Sequence, residues 1–241
     1  MTELKSWPVW DAGTRWFHWL NVLCMLGLIA LGLVILNAAS LGVTDDGKIL
    51  LKTLHVWVGY AFTFNLLWRW VWAFRGNRHA RLGAMLPGGR GYVEALNRYV
   101  ANFLSGDPQR YLGHNPAARL AVTALFLLLT TQMITGLVLA GTDVFMLPFG
   151  PWVAEWIAAP GVDPATLVPY ARDTYDASAY AAMRELRSPF ITVHLYSFYA
   201  LASLSVVHIA AVVITEQRHG GGLVSAMFTG NKVLDGPPLD E

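Results

Sequence analysis

The sequence predicts an all-α fold: an integral membrane four-helix bundle, with an amphipathic helix in a cytoplasmic loop and an extended outer loop between spans three and four. Two observations carry the prediction. The chain of 241 residues is 55% hydrophobic and 14% charged, with ten tryptophans and a mean hydropathy of +0.43, where a soluble domain carries about 25% charged residues. Its apolar residues also gather into four runs, each near the roughly 20 residues that a hydrocarbon core about 30 Å thick demands of a helix. Residues 1–241 therefore read as a single membrane domain rather than two soluble ones. A net charge of +1 gives no ground for a nucleic-acid partner. The single cysteine, Cys24, sits in an apolar run, cannot form an internal disulfide and reads as a small packing residue.

The first span covers residues 15–36, "RWFHWLNVLCMLGLIALGLVIL". Its apolar run is longer than the h-region of about 7–15 residues in a cleaved export signal, so it is expected to be retained. The second covers 53–74, "TLHVWVGYAFTFNLLWRWVWAF", and the third 116–140, "PAARLAVTALFLLLTTQMITGLVLA". The fourth covers 189–215 and contains "HLYSFYALASLSVVHIAAVVI". Pro116 and Pro189 are expected in the first turns of their helices, where a missing N–H is tolerated.

Between spans two and three Arg75, Arg78, Arg81, Arg90, Arg98, Arg110 and Arg119 outnumber Glu94 and Asp107. Within this segment "GYVEALNRYVANFL" has apolar residues at helical spacing and is expected to lie along the membrane surface. After span three come Asp143, Glu155, Asp163, Asp173, Asp176 and Glu185, against three arginines. Excess Lys and Arg marks the cytoplasmic side, so the chain reads as a multi-pass membrane protein with both termini cytoplasmic. Trp68, Trp70 and Trp72 fit an interfacial belt, and Arg69 reads as snorkelling to the headgroups. Residues 141–188 face outward; Pro148, Gly150, Pro151, Pro160, Gly161, Pro164 and Pro169 break them into short stretches, and their length suggests a structured cap.

Four of the seven histidines fall inside the spans. Histidine is costly in hydrocarbon and reads first as functional, with a partner to be found. His194 and His208 are separated by roughly 21 Å of helix at about 1.5 Å per residue. Their rotation leaves an offset of about 40°, so both face one side. His55 opens span two at the outer level of His194, and His18 lies just inside span one at the inner level of His208. Two pairs result, His55/His194 and His18/His208, each bridging two helices. Paired neutral imidazoles on facing helices are what axial ligation of a b-type haem iron requires. Small residues help to admit the macrocycle: Gly59 follows His55 by a turn, and Ser197 and Ala211 follow His194 and His208 by three residues. Two haem b groups, one toward each face, are the expected cofactors, with the four histidines on the iron.

Other readings stay open at this point. A single intramembrane histidine can merely hydrogen-bond across helices. Zinc asks for four ligands in one place, and a proton relay prefers acidic companions, which the apolar cores of the spans lack. Outside the spans, His79 in "GNRHAR" reads as solvated or facing headgroups, and His219 follows a helix end at a glycine stop. His114 in "GHNP" reads either as a donor to a haem propionate or quinone carbonyl, or as part of a turn that Asn115 caps.

The pieces "RWFHWLNVLCM", "LHVWVGYAF", "WAFRGNRHAR", "GHNPAARLA" and "HLYSFYALASLSVVH" resemble the b-type cytochrome subunit of membrane-bound nickel–iron hydrogenases and the wider bacterial dihaem four-helix cytochrome b family. The resemblance covers all four spans and the basic loop. It implies a core holding two haems that accepts electrons from a partner on the outer face and passes them to quinone, and it places His18, His55, His194 and His208 on the axial-ligand positions. Residues 141–188 form a longer loop than expected of a hydrogenase subunit, so the periplasmic partner stays open between a nickel–iron hydrogenase and a c-type cytochrome.

Three function classes follow. The first is an electron-transfer subunit of a respiratory, quinone-linked complex in membrane lipid, with quinone near Arg15, Trp16, His114 and Asn115 because a quinone needs a donor or two and an apolar slot. The second makes the chain itself an enzyme, a quinone-linked oxidoreductase acting on a small outer-face substrate at the outer haem. The third is a colourless scaffold whose histidines only pack. No flavin, nicotinamide or phosphate-loop fingerprint is present.

Overall fold

A computed structural model describes residues 4–106 and 109–240; the side chain of His219 lies outside that description. Among the described residues the chain is helical apart from one two-stranded ribbon. The order is β1 (Lys5–Pro8), α1 (Ala12–Leu36), α2 (Asp45–Arg75), α3 (Leu82–Met85), α4 (Tyr92–Ser105), α5 (Pro116–Val144), α6 (Gly150–Ile157), two 3-10 turns (Pro164–Thr166 and Arg172–Thr174), α7 (Ala177–His219), α8 (Leu223–Thr229) and β2 (Asn231–Leu234). By length and composition α1, α5 and Ala177–Arg218 are able to cross a membrane. The expected second span is a helix of 31 residues, but histidine, tryptophans, Asn65 and Arg69 dilute its apolar stretch, and it stands outside that set of three.

Two helices outrun their apolar runs. Thr44 accepts the Gly47 amide at 3.2 Å and opens α2 ahead of Asp45 and Asp46, which suit the positive end of the helix. Asp176 accepts the Ala179 amide at 2.8 Å and opens α7 well before Pro189. Pro189 is therefore inside a helix of 43 residues rather than in its first turn, and one backbone bond of that helix is forgone there. The extended loop is correspondingly shorter than residues 141–188. Pro116 does start α5, and α7 stops at Gly220, Gly221 and Gly222, all with positive φ.

The chain divides into two compact units, to which each of the four long helices contributes residues. The first unit takes residues up to Leu20, Asn65–Leu128 and Ala200 onward. In it β1 pairs antiparallel with β2, Lys5 opposite Leu234 and Pro8 opposite Asn231. Val9, Leu112, Ala226 and Leu234 form a small core there, with Trp7 and Trp10 against it. Asp11 holds this end of the chain. It accepts from the Thr14 amide at 2.8 Å, Trp72 Nε1 at 2.9 Å and the Asn77 amide at 3.1 Å, and Asn77 donates to the Val9 carbonyl at 2.7 Å. The expected loop helix is α4, strongly amphipathic, stopped by Gly106 in the left-handed region.

The second unit takes Asn21–Phe64 and Leu129–Tyr199. Its cap is packed: Val153, Ala154, Ile157, Leu167, Tyr175 and Met183 are buried together, with Phe145 and Tyr180 against them. Met183 comes from the first turns of α7, which explains why that helix begins where it does. Beneath the cap, Asp143 accepts from Lys52 at 2.7 Å and pairs with Arg187.

Candidate functional site

In the second unit α2 carries His55 and α7 carries His194, and the two imidazoles are within electrostatic reach of each other. Both rings lie over glycine backbone. A Cβ built on Gly32 of α1 would stand 3.5 Å from His55 Cε1, and one on Gly136 of α5 would stand 3.5 Å from His194 Cε1. The Thr135 hydroxyl lies 2.8 Å from His194 Nδ1 and 2.7 Å from the Thr131 carbonyl. A hydroxyl has one proton, and the carbonyl can only accept, so Thr135 donates to Thr131 and accepts from His194 Nδ1–H. This sets the neutral tautomer with the Nε2 lone pair free, the form a metal takes up. Gln132 fixes the same turn of α7, donating to the His194 carbonyl at 2.8 Å and the Ser197 hydroxyl at 2.9 Å. His55 Nδ1 is covered and without a partner. At Gly59 an added Cβ meets nothing within 4 Å, so that position leaves open space.

In the first unit α1 carries His18 and the last turns of α7 carry His208, again within electrostatic reach of each other. His18 Nδ1 is covered and unpartnered. Asn65, buried on α2, donates to the Phe17 carbonyl at 3.0 Å and so ties α2 to the turn that bears His18. Arg69 is only 3% exposed. It does not snorkel: it donates to the Ala80 carbonyl at 2.9 Å and reaches Met85 Sδ at 2.6 Å. Its guanidinium stands 5.2 Å over Phe126 and 5.8 Å over Phe17. The snorkelling expectation fails because the face that Arg69 occupies is the one closed by Phe17 of α1 and Phe126 of α5.

His79 is buried rather than solvated. Its Nε2 accepts from Arg78 Nε at 3.1 Å, and its ring stands edge-on to Trp10 at 6.4 Å. The reason is the Asn77–Asp11 anchor, which folds "GNRHAR" back onto the protein. His114 packs on Trp10 at 5.1 Å with its Nδ1 covered and unpartnered. Burial, with the positive charges of Lys232, Arg69, Arg119 and His79 around it, pushes the imidazole down to about 3. Asn115 is fully engaged: its Oδ1 accepts the Ala118 amide at 2.8 Å, capping α5, and its Nδ2 donates to Tyr99 at 2.9 Å. Arg15 donates through Nη1 to the Phe228 carbonyl and leaves Nε unpartnered. Trp16 is 76% exposed.

Among the described residues no three His, Cys, Asp or Glu side chains gather into a metal cluster. The histidines come in twos. Sequence reasoning missed Thr135, Gln132, Gly32 and Gly136. The first two had a signal in the polar "TTQ" within an otherwise apolar span, where a hydrogen-bonding side chain usually ties helices together. It also missed the ribbon and α8, which carry only four, four and seven residues.

A family described as prokaryotic cytochrome b561 matches residues 9–230. A protein of Cupriavidus necator named probable Ni/Fe-hydrogenase B-type cytochrome subunit is 34% identical over 62% of this chain and 64% of its own length. The probable Ni/Fe-hydrogenase 1 B-type cytochrome subunit of Escherichia coli K12 is 34% identical over 62% of this chain and 67% of its own length. In Rhodobacter capsulatus a protein named as the first is 26% identical over 94% of this chain and 81% of its own length. The chain thus spans about two-thirds of the length of the first two relatives. No solved structure matches. With the match running over nearly the whole chain and over both histidine pairs, this protein belongs to the prokaryotic cytochrome b561 family.

Proposed function

We propose that the chain is a dihaem b-type cytochrome of the inner membrane, which passes electrons between a redox partner on the outer face and the quinone pool. The observation that carries this reading is the pairing of His18 with His208 and of His55 with His194, each pair on two helices and within one unit. The residues fit a bis-imidazole haem. His18 and His55 each have a buried, unpartnered Nδ1, His194 is held in the tautomer that frees Nε2, Gly32 and Gly136 keep side chains away from the rings, and Gly59 leaves open space. When bound, such a group supplies one-electron chemistry at the iron. The protein supplies ligation, ring orientation and charge. Thr135 holds the proton on His194 Nδ1, Gln132 fixes the turn beneath it, and Asn65 fixes the turn beneath His18.

With both termini cytoplasmic and α2 as the fourth span, His55/His194 faces the outer side and His18/His208 the inner. The relatives' names point to a hydrogenase as the outer partner; a c-type cytochrome fits the same position. The quinone end falls in the first unit. Of the four residues expected there, His114 and Arg15 keep unpartnered nitrogens and Trp16 offers an exposed apolar ring, while Asn115 is occupied by capping.

The reduced-minus-oxidised spectrum and haem content of purified protein test the reading. Two haems per chain and a b-type α-band are expected, with one lost in His194→Ala and the same one lost in His55→Ala. A colourless protein, or loss of the same haem in His55→Ala as in His208→Ala, overturns it. One observation favours the alternative of a self-sufficient quinone-linked oxidoreductase: a polar cleft of about 130 Å³ under the cap, where Asp143 pairs with Lys52 and Arg187 while Arg172 and Arg184 add positive charge for a small anion. Quinone reduction by the isolated chain with such a reductant, and no partner protein, would select it.

A further inference from the structure

Among the described residues, Arg69 is a permanent charge in a place that brings no carboxylate into contact with it. A guanidinium does not give up its proton in a protein, and an isolated buried charge is strongly unfavourable unless paired. None of the ion pairs among the described residues includes Arg69. The acid within its electrostatic reach is Asp11, whose carboxylate is already taken by Trp72 and the amides of Thr14 and Asn77. The carbonyl of Ala80, the Met85 sulfur and two phenyl faces leave Nη1 covered and unpartnered. The hollow beside it, lined by Trp70, Ala73, Met85, Leu86, Val122 and Phe126, is apolar and offers nothing anionic.

Two further nitrogens in the same unit are left open in the same way. Arg119 Nε and His114 Nδ1 are covered without partners, and both Arg69 and Arg119 are within reach of the His114 ring. Lys232, whose charge faces Asp240 and Glu216, donates to the carbonyls of Tyr111, Leu112 and Gly113. Two open guanidinium donors beside an unpartnered imidazole nitrogen, with no carboxylate among the described residues in contact with any of them, ask for an anion. A quinone is neutral and cannot offset the charge of Arg69.

We infer that Arg69, Arg119 and His114 form a carboxylate-binding site, and that its occupant is a propionate of the haem held by His18 and His208. This rests on the dihaem reading above. Arg69 stacks over Phe17, the residue before His18, so the site adjoins that pair and not the pair of the second unit. Arg69 is then a positioning and charge-setting residue: it anchors one edge of the macrocycle and, as a nearby positive charge, favours the reduced form.

The experiment is a spectroelectrochemical titration of the purified protein with both haems resolved, on wild type, Arg69→Gln, Arg69→Lys and Arg119→Gln. Arg69→Gln is expected to shift the redox equilibrium of the His18/His208 haem toward the oxidised form by about tenfold, roughly 59 mV for one electron, with the other haem unmoved. Arg69→Lys should keep most of the wild-type value, and reduced-minus-oxidised infrared spectra should show displaced propionate carboxylate bands in Arg69→Gln. If Arg69→Gln does not assemble, Arg119→Gln reads the same site, with a smaller shift of the same sign. Unmoved potentials in the glutamine variants, or equal shifts of both haems, overturn the inference while two haems remain in place. Wild type with fewer than two haems overturns the dihaem reading instead. Exchanging chloride for phosphate or acetate at constant ionic strength should leave the wild-type potential fixed; a shift that disappears in Arg69→Gln would assign the site to a free anion and overturn the propionate.

Discussion

In the second unit His194 rests its Nδ1 on a threonine, Gln132 ties its turn to α5, and the cations Lys52 and Arg187 share Asp143. In the first unit His18 Nδ1 is unpartnered, Asn65 ties its turn to α2, and Arg69 is buried with no carboxylate. Both units place two histidines on two helices, yet they differ in what they complete for themselves. The second largely satisfies its own charges, though His55 Nδ1 and Arg187 Nε stay open. The first leaves a permanent charge and several donors waiting. The difference teaches which half of the chain depends more on what it binds.

On the dihaem proposal, the largest effect should appear when each haem is removed in turn. His18→Ala is expected to destabilise the protein more than His55→Ala, by about 3 kcal/mol, because taking away one partner of a buried charge leaves the other uncompensated. Thermal unfolding in one detergent, with the lost haem identified spectrally, measures it. Equal losses would mean that Arg69 finds its counter-charge within the protein, and the contrast between the units would go.

Acid sharpens the same contrast. While the carboxylate site beside it is empty, as in the haem-free protein on which this test is run, burial and the cations around it hold His114 down at about 3 in the folded state, against roughly 6.5 in an unfolded chain. Between these values the unfolded chain binds more protons, so stability is present at neutral pH and is lost as pH falls below about 6.5. From pH 7 to pH 5 the loss amounts to about 2 kcal/mol. His114→Gln should remove this part of the acid sensitivity. A pH dependence unchanged in that variant would place the sensitive group elsewhere.

These residues also mark what a sequence makes legible. The helical class and the basic loop helix followed from composition and spacing. The depth argument, from the fixed rise and angle of a helix, matched His18 with His208 and His55 with His194, and these are the imidazoles that stand within electrostatic reach of each other. Helix ends did not follow from hydropathy: Thr44 and Asp176 start α2 and α7 outside the apolar runs, and cap chemistry rather than lipid sets those limits. Arg69 and His79 depart from expectation for one reason. The local sequence around each says little of its burial, which is decided by distant segments, Phe17 and Phe126 for one and Trp10 for the other. Thr135 was within reach, since a hydroxyl in an apolar span needs an acceptor; its second bond, to an imidazole on another helix, is tertiary information.

The smallest predicted effect isolates that bond. Thr135→Val keeps the side-chain volume and removes both the donor to Thr131 and the acceptor for His194. The imidazole stays on its helix, held by Gln132 and Ser197 through the backbone of its turn, so the haem of the second unit should still bind. What is lost is the fixed tautomer and ring angle. Outer partners of this kind are worth about 10- to 100-fold in affinity at a metal centre, and the backbone ties that remain argue for the lower end. Dissociation of that haem on dilution into detergent should therefore rise about tenfold, the haem of the first unit should not change, and Thr135→Ser should restore the wild-type value. A change in both haems would show that Thr135 acts on helix packing; no change would show that the hydroxyl does not set the ring, and the second unit would lose the feature that most separates it from the first.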